Sequence, residues 1–199
     1  MLPIEAALPE LKQVLAHSRA ALLEAPPGAG KTTLVPLALR DEPWLAGKKI
    51  IMLEPRRVAA RAAAARMAEL IGERVGETIG YRVRLDSKVS AKTRIEVVTE
   101  GLLTRRLQSD PSLEGIGLLI FDEFHERSLN ADLGLALALE TQAALNENLK
   151  LLVMSATLDG ARVAKLLGDA PTVRSEGRLF PIDTLYVVPP ANARLDQSV

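Results

Sequence analysis

Cysteine is missing altogether from this 199-residue sequence. That excludes disulfide bonds and thiolate zinc sites, and it fits a cytoplasmic protein without demanding one. Only two histidines are present, His17 and His125, which argues against a histidine-rich metal site. Aromatic residues make up 3% of the chain, so it offers no interleaved row of rings on which nucleic-acid bases could stack. No apolar run approaches the ~18 residues of a membrane span. Pro3 and Glu5 stand where a secretory signal would have a basic start and an apolar centre. The formal net charge is +0, which argues against indiscriminate binding to nucleic acid.

What is present is 48% hydrophobic and 25% charged residues, the balance of a globular chain long enough to bury a core in one domain. The neutral total hides an uneven distribution. From Pro55 to Asp110 there are 12 Lys+Arg against 7 Asp+Glu, while the rest of the chain carries 13 against 18. A basic stretch inside a neutral chain is a candidate footprint for a phosphate backbone. Each of its arginines, taken singly, also reads as solvated helix surface, and Arg82 and Arg84, in an expected strand, are read as solvated charge.

The pattern alternates strand and helix. Residues 2–18 have helical spacing, with Pro9 as a break or second start. Apolar runs at 20–25, 48–53, 117–121 and 149–154 suit strands covered on both faces, and 78–85 and 93–99 alternate as strands do. Helices are predicted over 32–40, 56–71, 100–108, 129–145 and 159–167, with Gly72 placed to stop the second and Pro36 to bend the first. Residues 172–175 and 182–188 read as extended. Such an order implies right-handed crossovers and an α/β fold, a mainly parallel sheet with helices on both faces. Ligands of such sheets sit at the carboxyl ends of the strands.

Two motifs fall at such ends. Ala25-Pro26-Pro27-Gly28-Ala29-Gly30-Lys31-Thr32-Thr33 reads as a phosphate-binding loop of the looser Walker A form. Small residues let successive N–H groups curl around an anion, and the following helix points its positive end at the same place. Lys31 reaches β/γ-phosphates and the Thr32 hydroxyl holds Mg²⁺ in this motif. Leu118-Leu119-Ile120-Phe121-Asp122-Glu123 reads as a buried strand ending in two carboxylates, Asp122 for the metal and Glu123 to activate a water.

Asp122-Glu123-Phe124-His125-Glu126-Arg127-Ser128 resembles the signature of the DEAH-box helicases, and the Phe in third place resembles the bacterial HrpB branch. Glu54-Pro55-Arg56-Arg57-Val58-Ala59-Ala60 is similar to motif Ia, Thr99-Glu100-Gly101-Leu102-Leu103 to motif Ib, and Ser155-Ala156-Thr157 to motif III. Gly177-Arg178-Leu179-Phe180-Pro181 is similar to the segment leading out of the first lobe. The resemblance implies a RecA-like P-loop NTPase domain whose cofactors are ATP and Mg²⁺. It places Pro27, Gly28, Ala29, Gly30, Lys31, Thr32 and Thr33 on the nucleotide and metal. It makes Lys31, Asp122 and Glu123 catalytic. Arg66 matches an arginine that stacks on adenine, with Arg61 a near rival. Arg56, Arg57, Thr99 and Gly101 match positions that grip a nucleic-acid backbone. His125, Ser155 and Thr157 match coupling residues; the bland alternatives are a satisfied buried histidine and a strand end that caps the next helix.

The resemblance also implies a partner, nucleic acid, with RNA expected over DNA. Residues 1–188 are expected to form the first lobe and 189–199 to begin a linker to a second one, since 42 residues after Thr157 are too few for another lobe and no motif VI block appears. The expected activity is that of an ATP-dependent RNA helicase, with the lobe alone nearly inactive. The competing reading is a nucleotide-regulated binding module that never unwinds; the presence of Glu123 favours the enzyme.

Overall fold

Each apolar run that the sequence marks as a doubly covered strand alternates its side chains between two cores, as a period of two requires. In β2 (Lys49–Leu53), Ile50 and Met52 face one core while Ile51 and Leu53 face the other. The same division runs through β1 (Ala20–Glu24), β6 (Ile116–Phe121) and β7 (Lys150–Ser155). The computed structural model describes residues 2–156 and 160–176. Thr157, the 177–181 segment, the extended stretch expected over 182–188 and the tail expected to be a linker lie outside the described residues.

One core is closed by α1 (Leu8–His17), α2 (Lys31–Leu39) and α3 (Arg57–Leu70), through Leu11, Leu15, Val35, Leu39, Ala64 and Met67. The other is closed by α4 (Glu100–Ser109), α5 (Leu129–Ala144) and α6 (Gly160–Leu166), with Leu103, Leu107, Leu135 and Ala138 fully inside. A Leu or Ile side chain moved from water to such a site contributes about 1.5–3 kcal/mol, so helices on both faces are what these strands require. The remaining strands are β3 (Ile79–Val83), β4 (Asp86–Lys88), β5 (Ile95–Val98) and β8 (Thr172–Arg174). Among the described residues the sheet order is β4-β3-β5-β2-β6-β7-β1-β8, parallel throughout except where β4 runs back along β3. None of the helices is long and apolar enough to cross a membrane, among the described residues.

The local differences from the sequence reading have physical causes. Pro9 proves to be the second start: a 3₁₀ turn over Pro3–Ala6 precedes α1, and Pro9 occupies the first turn, where its missing N–H costs nothing. Pro36 lies inside α2 without ending it. The stretch expected as one strand over 78–85 is a hairpin, turned at Leu85 with φ +65° and returned as β4, with Tyr81 opposite Lys88. Gly72 stops α3 as expected: at φ +71° its N–H bonds to the Glu69 carbonyl, and that of Glu73 to Ala68.

Candidate nucleotide site and its surroundings

The loop after β1 is shaped by its glycines. Gly28 and Gly30 have φ of +75° and +94°, which residues with a side chain rarely adopt. A Cβ on Gly30 would also stand 2.8 Å from Leu2 Cδ1 and 3.3 Å from Ile4 Cγ2, so the N-terminal turn packs directly against the loop. The loop amides divide into two sets. Ala29 donates to the Pro26 carbonyl and Thr33 to that of Gly30. The amides of Gly28, Gly30, Lys31 and Thr32 have no acceptor among the described residues, and they crowd the positive end of α2.

Lys31, the first residue of α2, is buried, and its ammonium donates to Glu123 Oε1 at 2.8 Å. Thr32 Oγ1 donates to Asp122 Oδ2 at 2.5 Å. Four side chains from two loops, some ninety residues apart, therefore meet in one cluster, where the sequence placed a phosphate lysine, a metal hydroxyl and an acid pair. Asp122 is buried at the end of β6. Burial pushes its carboxyl up to about 6, against the pull of the Thr32 hydrogen bond. Glu123 has φ +49° and opens a 3₁₀ turn over Phe124–Glu126. The donor set fits a magnesium nucleotide: unpaired amides and one ammonium for phosphate, one hydroxyl and one carboxylate for the ion.

His125 sits beneath this cluster. Its Nδ1 accepts the Ala156 amide at 3.3 Å and lies 3.4 Å from Glu123 Oε2. Ser155 ends β7 and is buried in register with Glu24 of β1. Thr157 lies outside the described residues.

The residues matched to a nucleic-acid grip follow two adjacent strands, since Leu53 of β2 is in register with Val98 of β5. Arg56 and Arg57 open α3, Thr99 precedes α4, and Gly101 lies exposed in its first turn with open space where a Cβ would stand. Arg56 pairs with Glu126 at 2.9 Å. Arg66 and its rival Arg61 are not brought into the cluster. Arg66 pairs with Glu69 on the exposed side of α3, and Arg61 with Asp86 of β4. Arg82, read as solvated charge, instead donates to the buried Glu96 at 2.7 Å, while Arg84 is exposed.

Glu54 escaped the sequence reading. It follows β2 as Asp122 follows β6, and those strands are neighbours in register from Leu53 to Phe121. It is 2% exposed, and its carboxyl is pushed up to about 8, first by burial and then by the charges of Asp122 and Glu123. The available signal was its place: an acid directly after an apolar strand, as in the other carboxylate motif.

Comparison with known proteins shows the family and the fold. Residues 5–166 match the family model of the DEAD/DEAH box helicase. The chain is 55% identical over 198 residues to the ATP-dependent RNA helicase HrpB of Escherichia coli strain K12, covering 100% of this chain and 24% of that protein. It is 34% identical to an ATP-dependent RNA helicase HrpA homolog of Haemophilus influenzae, over 93% of this chain and 14% of that one. The crystal structure of the E. coli DEAH/RHA helicase HrpB superposes with a TM-score of 0.90, covering 98% of this chain and 25% of the other. The chain thus spans about a quarter of the length of that relative.

Proposed function

Because the chain belongs to the DEAD/DEAH box helicase family, we propose that it is the first, nucleotide-binding RecA-like lobe of an ATP-dependent RNA helicase. Residues 1–188 form that lobe and 189–199 begin the connection to a second one. The single observation that carries the reading is the convergence of Lys31 on Glu123 and of Thr32 on Asp122 beside unpaired loop amides.

In this reading the amides of Gly28, Gly30, Lys31 and Thr32 and the Lys31 ammonium bind the phosphates of ATP, with Pro27, Ala29 and Thr33 shaping the loop around them. Thr32 and Asp122 would hold Mg²⁺, which would supply charge neutralisation at the phosphates. Lys31 exchanges Glu123 for phosphate, and this frees the Glu123 carboxylate to orient a water and take its proton. His125, Ser155 and Thr157 relay the state of this site along the ends of β6 and β7. Arg66, with Arg61 its rival, would have to leave its pair with Glu69 to offer a planar cation to the adenine face. Arg56 and Arg57 supply charge to an RNA backbone, and Thr99 and Gly101 add neutral donors. The protein works in the cytoplasm, in keeping with a chain that has no cysteine.

The test is ATP turnover and strand separation by the full-length protein carrying Glu123→Gln. Loss of about 10²–10⁴ in kcat with little change in the KM for ATP is expected of a removed base. Unchanged turnover would overturn the assignment.

A further inference from the structure

The turn that carries Glu123 is held at its Glu123 end by Lys31 of the phosphate loop and at its far end by residues of the two blocks similar to motifs Ia and Ib. Its interior is anchored by Phe124, which is buried edge-on against Phe121 with ring centroids 6.2 Å apart. Its far end is Arg127, which donates to Asp132 at 2.8 and 3.1 Å and lies over the Phe124 ring. Ser128 then caps α5 through the Ala131 amide and donates to Glu100 Oε1, at the start of α4, at 2.7 Å. Between these anchors, Glu126 reaches Arg56, at the start of α3, at 2.9 Å.

Two backbone features make this turn able to change. Glu123 and Arg127, its flanking residues, have φ of +49° and +45°, conformations strained for residues with a Cβ. The Glu126 amide donates to the Glu123 carbonyl at 2.9 Å. Glu126 and Glu123 thus lie at opposite ends of one hydrogen-bonded turn. The first holds Arg56, the second holds Lys31.

We propose that Glu126 is a positioning residue that couples occupation of Arg56 by a nucleic-acid phosphate to the placement of Glu123 for hydrolysis. The inference rests on the function proposed above. Its physical basis is competition. The Arg56 side chain is 66% exposed, so a phosphate can approach it from solvent, and it meets the Glu126 carboxylate as a like charge on the same guanidinium. An exposed ion pair is weak, which suits a contact that a phosphate must displace. Once Glu126 is displaced, the turn loses its tether to α3 while Phe124 stays fixed. The hydrogen bond from Glu126 to Glu123 then carries the change to the end that grips Lys31. The two sites bias one bistable segment, which is what coupling between sites requires.

The experiment uses the full-length protein as wild type, Glu126→Gln, Arg56→Ala and the double variant. At fixed salt it measures binding of a labelled oligouridylate by fluorescence anisotropy, and ATP turnover with and without the oligonucleotide. Expected for Glu126→Gln is an oligonucleotide Kd tightened about three- to tenfold, since the competitor of Arg56 is gone. The ratio of stimulated to basal turnover should fall about tenfold, with the KM for ATP unchanged. A purely structural loss would not tighten binding. In the Arg56→Ala background the Glu126→Gln change should do nothing further to Kd. Wild-type turnover that ignores the oligonucleotide overturns the helicase reading itself. Normal stimulation of the wild type, with the same ratio and Kd in Glu126→Gln or additive effects in the double variant, overturns the coupling alone.

Discussion

Glu54 is a buried acid that the folded chain prefers to keep protonated, and replacing it by glutamine tests that directly. Its carboxyl is raised from 4.5 to about 8. That is a shift of roughly 3.5 units at about 1.36 kcal/mol each, a ceiling of about 5 kcal/mol. Relaxation and water penetration around an ionised carboxylate reduce this, and about 1–3 kcal/mol is expected. The sign follows from proton linkage. Between 4.5 and 8 the folded chain binds more protons than the unfolded one, so stability is full below pH 4.5 and is lost as pH rises toward 8. Glutamine has the shape of the neutral acid and cannot ionise. Urea unfolding of the 199-residue wild type and the Glu54→Gln variant at about pH 4.5 and about pH 8 gives the assay. The variant should be close to wild type at the lower pH and about 1–3 kcal/mol more stable at the higher. A difference that stays the same at both pH values, within ~0.5 kcal/mol, refutes the argument.

Three further outcomes follow from the geometry. Gly30→Ala combines a φ of +94° with a Cβ 2.8 Å from Leu2; a loss of about 1–3 kcal/mol is expected in thermal unfolding, with nucleotide binding lost in calorimetry. Arg57 is exposed, with no ion pair among the described residues. Arg57→Ala in the full-length protein should weaken binding evenly across RNA sequences and reduce the slope of log K against log salt by about one. If the proposed lobe works with a second one that supplies arginines to the phosphates, the 199 residues alone should turn over ATP about 10³–10⁵ slower than the full-length protein, measured by phosphate release.

Much of the fold was legible because burial on both faces writes itself into composition. Runs such as Leu118-Leu119-Ile120-Phe121 have no polar position to place in water, and Gly72 marks the end of α3 by its backbone freedom. Most of what escaped has no local signature. The turn at Leu85 lacks the Gly or Asn that usually announces φ above zero, and β4 is three polar residues, Asp86-Ser87-Lys88, paired only along one edge. The phosphate loop and the acid pair were readable because their chemistry fixes residue types at fixed spacing. Glu54 has its place after an apolar strand as a cue, but its raised carboxyl comes first from burial and then from the charges of Asp122 and Glu123 on the neighbouring strand end, which no window of sequence contains. The Arg56–Glu126 pair likewise joins residues 70 positions apart, and only the strand order makes them neighbours.

That strand order explains why the carboxylate turn is the place where two sites can communicate. Read along the sheet, the strand ends present Thr99 after β5, Glu54 and Arg56 after β2, Asp122 and Glu123 after β6, Ser155 at the end of β7, and the phosphate loop after β1. The residues proposed to grip nucleic acid thus occupy one side and the loop after β1 the other, with β6 and β7 between them. Adjacent strands lie about 4.8 Å apart, so Lys31 and Thr32 must reach across the end of β7 to meet Asp122 and Glu123. Ser155 at the end of β7 and His125 line one small cavity together with Leu22 and Phe124. Any signal from Arg56 to Lys31 that travels over the strand ends crosses the Glu123–Ser128 segment, because β6 separates the two. A sheet with β6 at its edge would bring the same side chains to the nucleotide and leave the nucleic-acid grip no partner through which to act.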